Sequence, residues 1–262
     1  MKSTAIANSN IALIKYWGKA DDELFLPMNS SISMTLDNLQ TICTVEFSED
    51  FKQDVVEINS RPANPKTGDR IKRHLDLIRR IGKTNLKVKV ATNYNFPIGA
   101  GLASSASASA SLTLAGCSAL GMNFDKRQLS ILARQGSGSS CRSIYGGYVK
   151  WLKANASEGS YAVQIADENH FDIRDVIAVV SKEEKAVSSR DGMRTTVETS
   201  PLFKSRLQNV EVSLKDMEKA ILDKDFEAIG RLAEADCLSM HATMLTSQPP
   251  LIYWEPITVK LM

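Results

Sequence analysis

Long apolar runs are missing from this 262-residue chain: no stretch approaches the ~18 consecutive apolar residues needed to cross a bilayer. The first residues carry one lysine followed by small and polar side chains rather than an apolar leader, so a soluble, cytoplasmic protein without membrane contact is expected. Charge of one sign is also lacking. The 32 Lys and Arg residues against 30 Asp and Glu leave a formal net charge of +2, which argues against bulk nucleic-acid affinity and makes any anion site a local one. Cysteine is sparse: Cys43, Cys117, Cys141 and Cys237 lie far apart with no C-x-x-C pair, and His74, His170 and His241 are equally scattered. Neither a zinc site nor a disulfide framework is suggested. The length suffices for a substantial core, as one large or two small domains.

What is present centres on Pro97-Ile98-Gly99-Ala100-Gly101-Leu102-Ala103-Ser104-Ser105-Ala106. Leu86 to Ala91 alternates like a half-buried strand ahead of it, and alanines and serines follow, giving the order strand, turn, helix over Ala103 to Leu120. Ser104 or Ser105 is expected to cap that helix. Unpaired N–H groups and the positive dipole end would then face the turn as an anion cradle. No lysine occurs between Pro97 and Ser111, which excludes a Walker-type loop. Gly99-x-Gly101-x-x-Ser104 also breaks the dinucleotide fingerprint at its last glycine. Locally, phosphate binding and a tight turn into a closely packed helix both remain open.

A second landmark is Gly136-Ser137-Gly138-Ser139-Ser140-Cys141-Arg142-Ser143, a loop dense in hydroxyls and N–H groups. Arg142 adds a planar fork suited to two-point contact with a carboxylate or phosphate. Glycine at 138 excludes a nucleophile elbow starting at Gly136. The composition also suits a linker, although it runs into an aromatic strand over Ile144 to Trp151. Near the N-terminus, Tyr16-Trp17-Gly18-Lys19 ends the strand-like Ile11 to Ile14, and Lys19 either caps a strand at the surface or meets a ligand.

Elsewhere, Thr41 to Phe47 and Val55 to Ile58 are expected to pair as a hairpin. Asp69 to Ile81 places Ile71, Leu75, Ile78 and Ile81 at helical spacing with a solvated basic face. Asn123 or Asp125 starts a helix through Leu129, Leu132 and Ala133. Tyr161 to Ile165 and Val176 to Val180 read as strands, Lys182 to Lys185 as a crossing between domains, and Ser188 to Arg194 as a polar loop with Arg190 and Arg194 as candidate phosphate contacts. From Thr199 the pattern is helical, and Trp254 to Met262 reads as a helix that stops without a polar exit.

Six blocks together resemble diphosphomevalonate decarboxylases of the GHMP kinase superfamily: Asn10 to Lys19, Leu26 to Leu36, Asn95 to Ser105, Ser137 to Gly147, Met193 to Pro201, and Met240 to Thr243. They follow the family's order across the whole chain. The resemblance implies an α+β, two-domain GHMP kinase fold, with a ribosomal protein S5 domain 2-like N-terminal domain over 1–181, an incomplete α-rich C-terminal domain over 182–262, and the cleft between them. It implies ATP and Mg²⁺ as cofactors, mevalonate 5-diphosphate as substrate, and a homodimer. The reaction implied is phosphorylation of the C3 hydroxyl, then loss of phosphate and CO₂ to give isopentenyl diphosphate.

Carried over by position, Gly99, Ala100, Gly101, Leu102, Ala103, Ser104 and Ser105 would hold ATP phosphates, with the Ser105 hydroxyl near Mg²⁺ or the γ-phosphate. Ser137, Gly138, Ser139, Tyr16, Lys19 and Arg190 would hold the substrate diphosphate, with Met193 bordering it. Arg142 would grip the substrate carboxylate, and Arg142, Lys19 and Ser105 are the candidate catalytic groups. Asn10 and Trp17 would support them. The family's catalytic aspartate lies in an Asp-Ala-Gly-Pro-Asn segment that these 262 residues do not contain. A truncated or incomplete copy is therefore expected, with phosphoryl transfer impaired by about 10²–10⁴-fold. A C3 kinase, a monophosphate decarboxylase and a non-catalytic nucleotide- or diphosphate-binding protein are the alternatives.

Overall fold

The computed structural model describes residues 1–98, 101–181 and 187–262. Its framework is β4 (Ser31–Ser48), an 18-residue strand that pairs antiparallel with β1 (Lys2–Ile14) on one side. On the other side, β4 pairs along its second half with β7 (Lys87–Tyr94) and along its first half with β8 (Tyr148–Trp151). Residue parity along β4 assigns its faces. The odd-numbered Cys43, Val45 and Phe47 pack with Leu75, Val88, Val90 and Leu112 under helices α1 (Pro65–Ile81) and α2 (Ser104–Ala119). The even-numbered Ile32, Met34 and Leu36 form a second core with Val210, Leu214, Met217 and Ile221 of α5 (Phe203–Leu222) and with Ile229 of α6 (Phe226–Leu245). The fold is α+β, with helices on both faces of the sheet.

The remaining strands extend this frame. A small ribbon, β2 (Lys19–Asp21) with β3 (Leu26–Pro27), follows β1. Strand β5 (Val55–Ile58) pairs parallel with β7 and antiparallel with β6 (Arg61–Pro62), while β9 (Ala162–Ala166) pairs with β8. The expected hairpin between Thr41–Phe47 and Val55–Ile58 is therefore wrong: β7 lies between the two, because the α1 crossover returns the chain into that slot. Val176–Val180 is not a strand either. Val176 is 91% exposed, and β propensity without a neighbouring strand to bond leaves the run irregular.

The helical expectations fare better. Leu75 and Ile78 of α1 are fully buried, though Ile81 is exposed. Helix α3 (Lys126–Gly136) starts at Asp125, whose carboxylate accepts from the Gln128 amide while Gln128 Oε1 accepts from the Asp125 amide. Helix α4 (Ser189–Thr199) replaces the expected loop over Ser188–Arg194, with Ser188 as its cap. Helix α7 (Pro256–Leu261) begins with proline in its first turn, as expected. The domain crossing assigned to Lys182–Lys185 lies outside the described residues. No helix among the described residues is long and apolar enough to cross a membrane.

Candidate functional site

The site is organised by a bulge in β1. Between Asn8 and Asn10 the register against β4 slips, so Ser9 and Asn10, adjacent in sequence, both reach the α2 side of the sheet. Ser9 Oγ donates to the Leu102 carbonyl at 2.5 Å, tying down the glycine turn. Asn10 Nδ2 donates to the Ser139 carbonyl and to Ser143 Oγ, holding the second landmark. One irregularity in one strand thus fixes both glycine-and-serine bends.

The turn before α2 differs in detail from expectation. Gly99 and Ala100 lie outside the described residues. Neither Ser104 nor Ser105 caps the helix: Ala103 occupies that position in a left-handed conformation, φ 51°, and no side chain caps α2. An uncapped N-terminus leaves amides in need of a partner, a stronger invitation to an anion than a serine cap would be. Gly101, at φ +83°, has open space where a side chain would stand.

The second bend is not a loop. Residues Gly138–Ile144 form a 3₁₀ helix, separated from α3 only by the extended residue Ser137, and the strand after it is confined to Tyr148–Trp151. Ser140 anchors it by donating to the carbonyls of Ala133 and Ser137. Ser137 Oγ donates to Ser105 Oγ at 3.4 Å, so the two bends meet. A side chain at Gly138 would stand 2.9 Å from the Trp151 ring and 3.3 Å from the Tyr16 hydroxyl, so only glycine lets the helix approach this closely.

Arg142 is 3% exposed. Its Nε donates to Ser33 Oγ at 2.9 Å, Nη1 to Ser31 Oγ at 2.6 Å and Nη2 to Asn10 Oδ1 at 3.3 Å. Ser31 and Ser33 are the odd-numbered residues of β4 at this end, polar on a face that is apolar farther along. Among the described residues no carboxylate pairs with Arg142; burial lowers its pKa from the usual arginine range, but the guanidinium remains charged. A guanidinium carries five N–H groups, so three bonds leave two donors, one on each terminal nitrogen. A buried cation bonded only to neutral oxygens is costly unless an anion joins it.

Around Arg142 stand the other expected residues. Tyr16 packs edge-on against Trp151, ring centroids 4.7 Å apart, and burial pushes its phenol well above the ordinary range, keeping it a neutral donor. Tyr16 and Trp17 are both buried, so this stretch is not a surface strand end. Trp17 lies in an apolar cluster with Phe203, Met240 and Met244, away from the Tyr16 ring. Met193 packs on the Tyr16 and Trp151 cluster from α4. Lys19 Nζ and the Arg190 guanidinium lie 4.6 and 5.2 Å from the Phe25 ring centre. Lys19 also pairs with Asp22 at 2.5 Å, and that bond holds the Asp22 carboxyl below its usual pKa. Lys19 and Arg190 are thus gathered at one edge of the site, with Lys19 already engaged.

A pocket opens beside Ser105 and Ser137, lined also by Thr67, Arg70, His74, Tyr94 and Ser109. Arg70 corrects the expectation of a wholly solvated basic face on α1. Its side chain stays exposed overall, yet burial of its head and then the charge of Arg190 lower its pKa. A cation on the polar face of an amphipathic helix carries no sequence mark of where that face points, which is why Arg70 went unmarked. Phe25, Ser31 and Ser33 were missed too; serines at alternate positions on a buried face were the available signal. Among the described residues no cluster of three His, Cys, Asp or Glu is placed to hold a metal.

Residues 7–162 match the family model for the diphosphomevalonate decarboxylase-like N-terminal domain, and 175–262 that for the mevalonate 5-diphosphate decarboxylase C-terminal domain. The chain belongs to the diphosphomevalonate decarboxylase family. The Homo sapiens diphosphomevalonate decarboxylase is 39% identical over 278 residues, covering 98% of this chain and 68% of the human protein. The Bos taurus diphosphomevalonate decarboxylase is 41% identical, with 66% of its length covered, so the chain spans about two thirds of these curated relatives. The mevalonate diphosphate decarboxylase from Enterococcus faecalis superposes with a TM-score of 0.91 at 41% identity, over all of this chain and 80% of that one. A structure of MDDEF in complex with MVAPP, AMPPCP and magnesium gives 0.90 at 42% identity with the same coverage. The family's fold is the GHMP kinase fold, as the six sequence blocks implied.

Proposed function

We propose that this chain binds mevalonate 5-diphosphate and ATP with Mg²⁺ for ATP-dependent decarboxylation, which gives isopentenyl diphosphate, ADP, phosphate and CO₂, at a rate lowered by the lack of the aspartate segment these 262 residues do not contain. One observation carries the reading. Arg142 is a buried cation held by three neutral oxygens, with one N–H left on each terminal nitrogen. That pair suits the two oxygens of a carboxylate.

The chain's own residues have separable tasks in this reading. Arg142 holds the substrate carboxylate in one orientation, so that the C–C bond to CO₂ stays aligned with the C3–O bond that breaks. Ser31, Ser33 and Asn10 fix the guanidinium in turn. The Ser137–Ser139 bend, Tyr16, Lys19 and Arg190 take the diphosphate. Tyr16, kept neutral by burial, donates a hydrogen bond through its phenolic O–H. The uncapped α2 terminus and the open space over Gly101 suit phosphate oxygens, so Gly99 to Ser105 would hold the triphosphate. Bound ATP with Mg²⁺ would supply the phosphoryl group that turns the C3 hydroxyl into a leaving group. Mg²⁺ commonly binds through substrate phosphates and few protein ligands, and the Ser105 hydroxyl is the protein group that would join those phosphates.

A domain boundary at 181/182, a homodimer and a cytoplasmic location accompany this reading as proposals, and sedimentation tests the dimer. Calorimetric titration with mevalonate 5-diphosphate tests the core of it. Saturable binding that Arg142→Lys weakens is expected; a folded wild-type chain that does not bind overturns the reading. Product analysis then separates isopentenyl diphosphate from a stable 3-phosphorylated product.

A further inference from the structure

Residues 15–18, between β1 and β2, belong to no strand, yet they include Tyr16 and lead directly into Lys19. Beyond one backbone bond, from the Met28 amide to the Gly18 carbonyl at 3.0 Å, side chains hold this segment. From one side Asn29 bonds it: Asn29 Oδ1 accepts from the Trp17 amide at 3.3 Å, and Nδ2 donates to the Lys15 carbonyl at 3.0 Å. From the other side comes a pair contributed by two helices. Asp236 of α6 accepts from the Lys15 amide at 2.8 Å through Oδ2, and Arg206 of α5 donates to the Lys15 carbonyl at 3.2 Å through Nη2. Arg206 and Asp236 meet each other at 2.9 Å, and Arg206 Nη1 also donates to the Asp236 carbonyl at 3.1 Å.

Both side chains are almost completely buried, at 4% and 6% exposure. An ion pair this deep contributes little to stability compared with an apolar pair of similar volume, because desolvation offsets its attraction. Its geometry shows where it acts. The carboxylate and the guanidinium each spend a bond on the same residue's backbone, Lys15, one on its N–H and one on its C=O. An apolar pair could fill the space between α5 and α6 and make neither bond.

We propose that Arg206 and Asp236 are a positioning pair, which clamps the backbone at Lys15 and thereby sets Tyr16 and Lys19 where a diphosphate is met. This rests on the proposed function for the ligand's identity, but not for the clamp itself. Neither residue touches the ligand. They act through the segment, from helices that otherwise pack against the opposite face of the sheet from Arg142. The clamp therefore makes the docking of α5 and α6 a condition for diphosphate binding, while the turn before α2, held by Ser9, is independent of it.

The test is the double variant Arg206→Met/Asp236→Leu in the whole chain, followed by amide hydrogen exchange and by titration with mevalonate 5-diphosphate and with a non-hydrolysable ATP analogue. Exchange at Lys15 to Lys19 is expected to rise at least tenfold while α5 and α6 core amides stay protected. Affinity for mevalonate 5-diphosphate should fall about tenfold with the ATP analogue within twofold. Unchanged exchange at Lys15 to Lys19, or equal weakening of both ligands, overturns the proposal. Should the double variant not fold, Arg206→Lys, which keeps the charge but not the fork, takes the same measurements with the same criteria. If wild type does not bind mevalonate 5-diphosphate at all, the functional reading fails, and the exchange result still decides the clamp.

Discussion

Ser137 hands its hydroxyl hydrogen bond to Ser105 across 3.4 Å, joining two bends that are 32 residues apart in sequence. The contact places the end of α3 at the uncapped start of α2. A ligand on the helix terminus and a ligand on the 3₁₀ segment would then lie side by side, as transfer of a terminal phosphoryl group from the first to a hydroxyl of the second requires.

Arg142→Lys keeps the charge and removes the fork. Lysine cannot bond Ser33, Ser31, Asn10 and two carboxylate oxygens together, so affinity for mevalonate 5-diphosphate should fall at least tenfold, about 1.4 kcal/mol. Calorimetric titration measures it. An affinity within twofold of wild type would remove Arg142 from the binding role.

Asn10→Asp offers Arg142 an internal carboxylate. Asn10 Oδ1 already stands 3.3 Å from Nη2, so the new charge would occupy the fork in place of substrate. Substrate affinity should drop at least tenfold without a fall in thermal midpoint, because the attraction gained offsets the lost donation to Ser139 and Ser143. Undiminished affinity in the same titration contradicts it.

Two glycine substitutions separate backbone strain from crowding. Gly138→Ala forces a methyl against Trp151 and Tyr16 and should cost roughly 1–3 kcal/mol of unfolding free energy, with weaker diphosphate binding. Gly101→Ala meets no neighbour, and only its positive φ is penalised, by about 1 kcal/mol. Urea unfolding of both variants checks the order.

His74 is buried between α1 and α2, with Nε2 2.8 Å from Thr113 Oγ1, and burial pulls its pKa down to about 4. The unfolded chain, with histidine near its ordinary value of about 6.5, binds the extra proton first. Stability should therefore be intact above pH 6.5 and decline as pH falls from 6.5 towards 4, by an amount on the order of 3 kcal/mol. His74→Gln should flatten that part of the curve, measured as urea midpoints at pH 7 and 4.5. An equal slope in the variant assigns the acid sensitivity elsewhere.

Much of this was legible because its causes are local. Asp125 and Gln128 stand at capping-box spacing, and Leu75 and Ile78 at helical spacing, so α3 and α1 could be read directly. The pairing of β5 could not: its partner is chosen by the path of α1, and no residue in Val55–Ile58 records that β7 comes between. The glycine-and-serine bends were visible as composition, but not that one is a 3₁₀ helix or that Ala103, not a serine, begins α2. Arg142 was readable from its neighbours in sequence. Ser31 and Ser33 left only their alternate spacing as a mark, and Arg70 left none, since an arginine on a helix becomes a site residue only through what folds opposite it.

The slip between Asn8 and Asn10 gives both bends a common mooring. Ser9 secures one through Leu102 and Asn10 secures the other through Ser139 and Arg142, so adding or deleting a residue in β1 would swing both at once. Retuning the site for a shorter or longer phosphate chain would therefore fall to the outer walls, Arg70 on α1 and Arg190 on α4, which can be exchanged without disturbing that mooring.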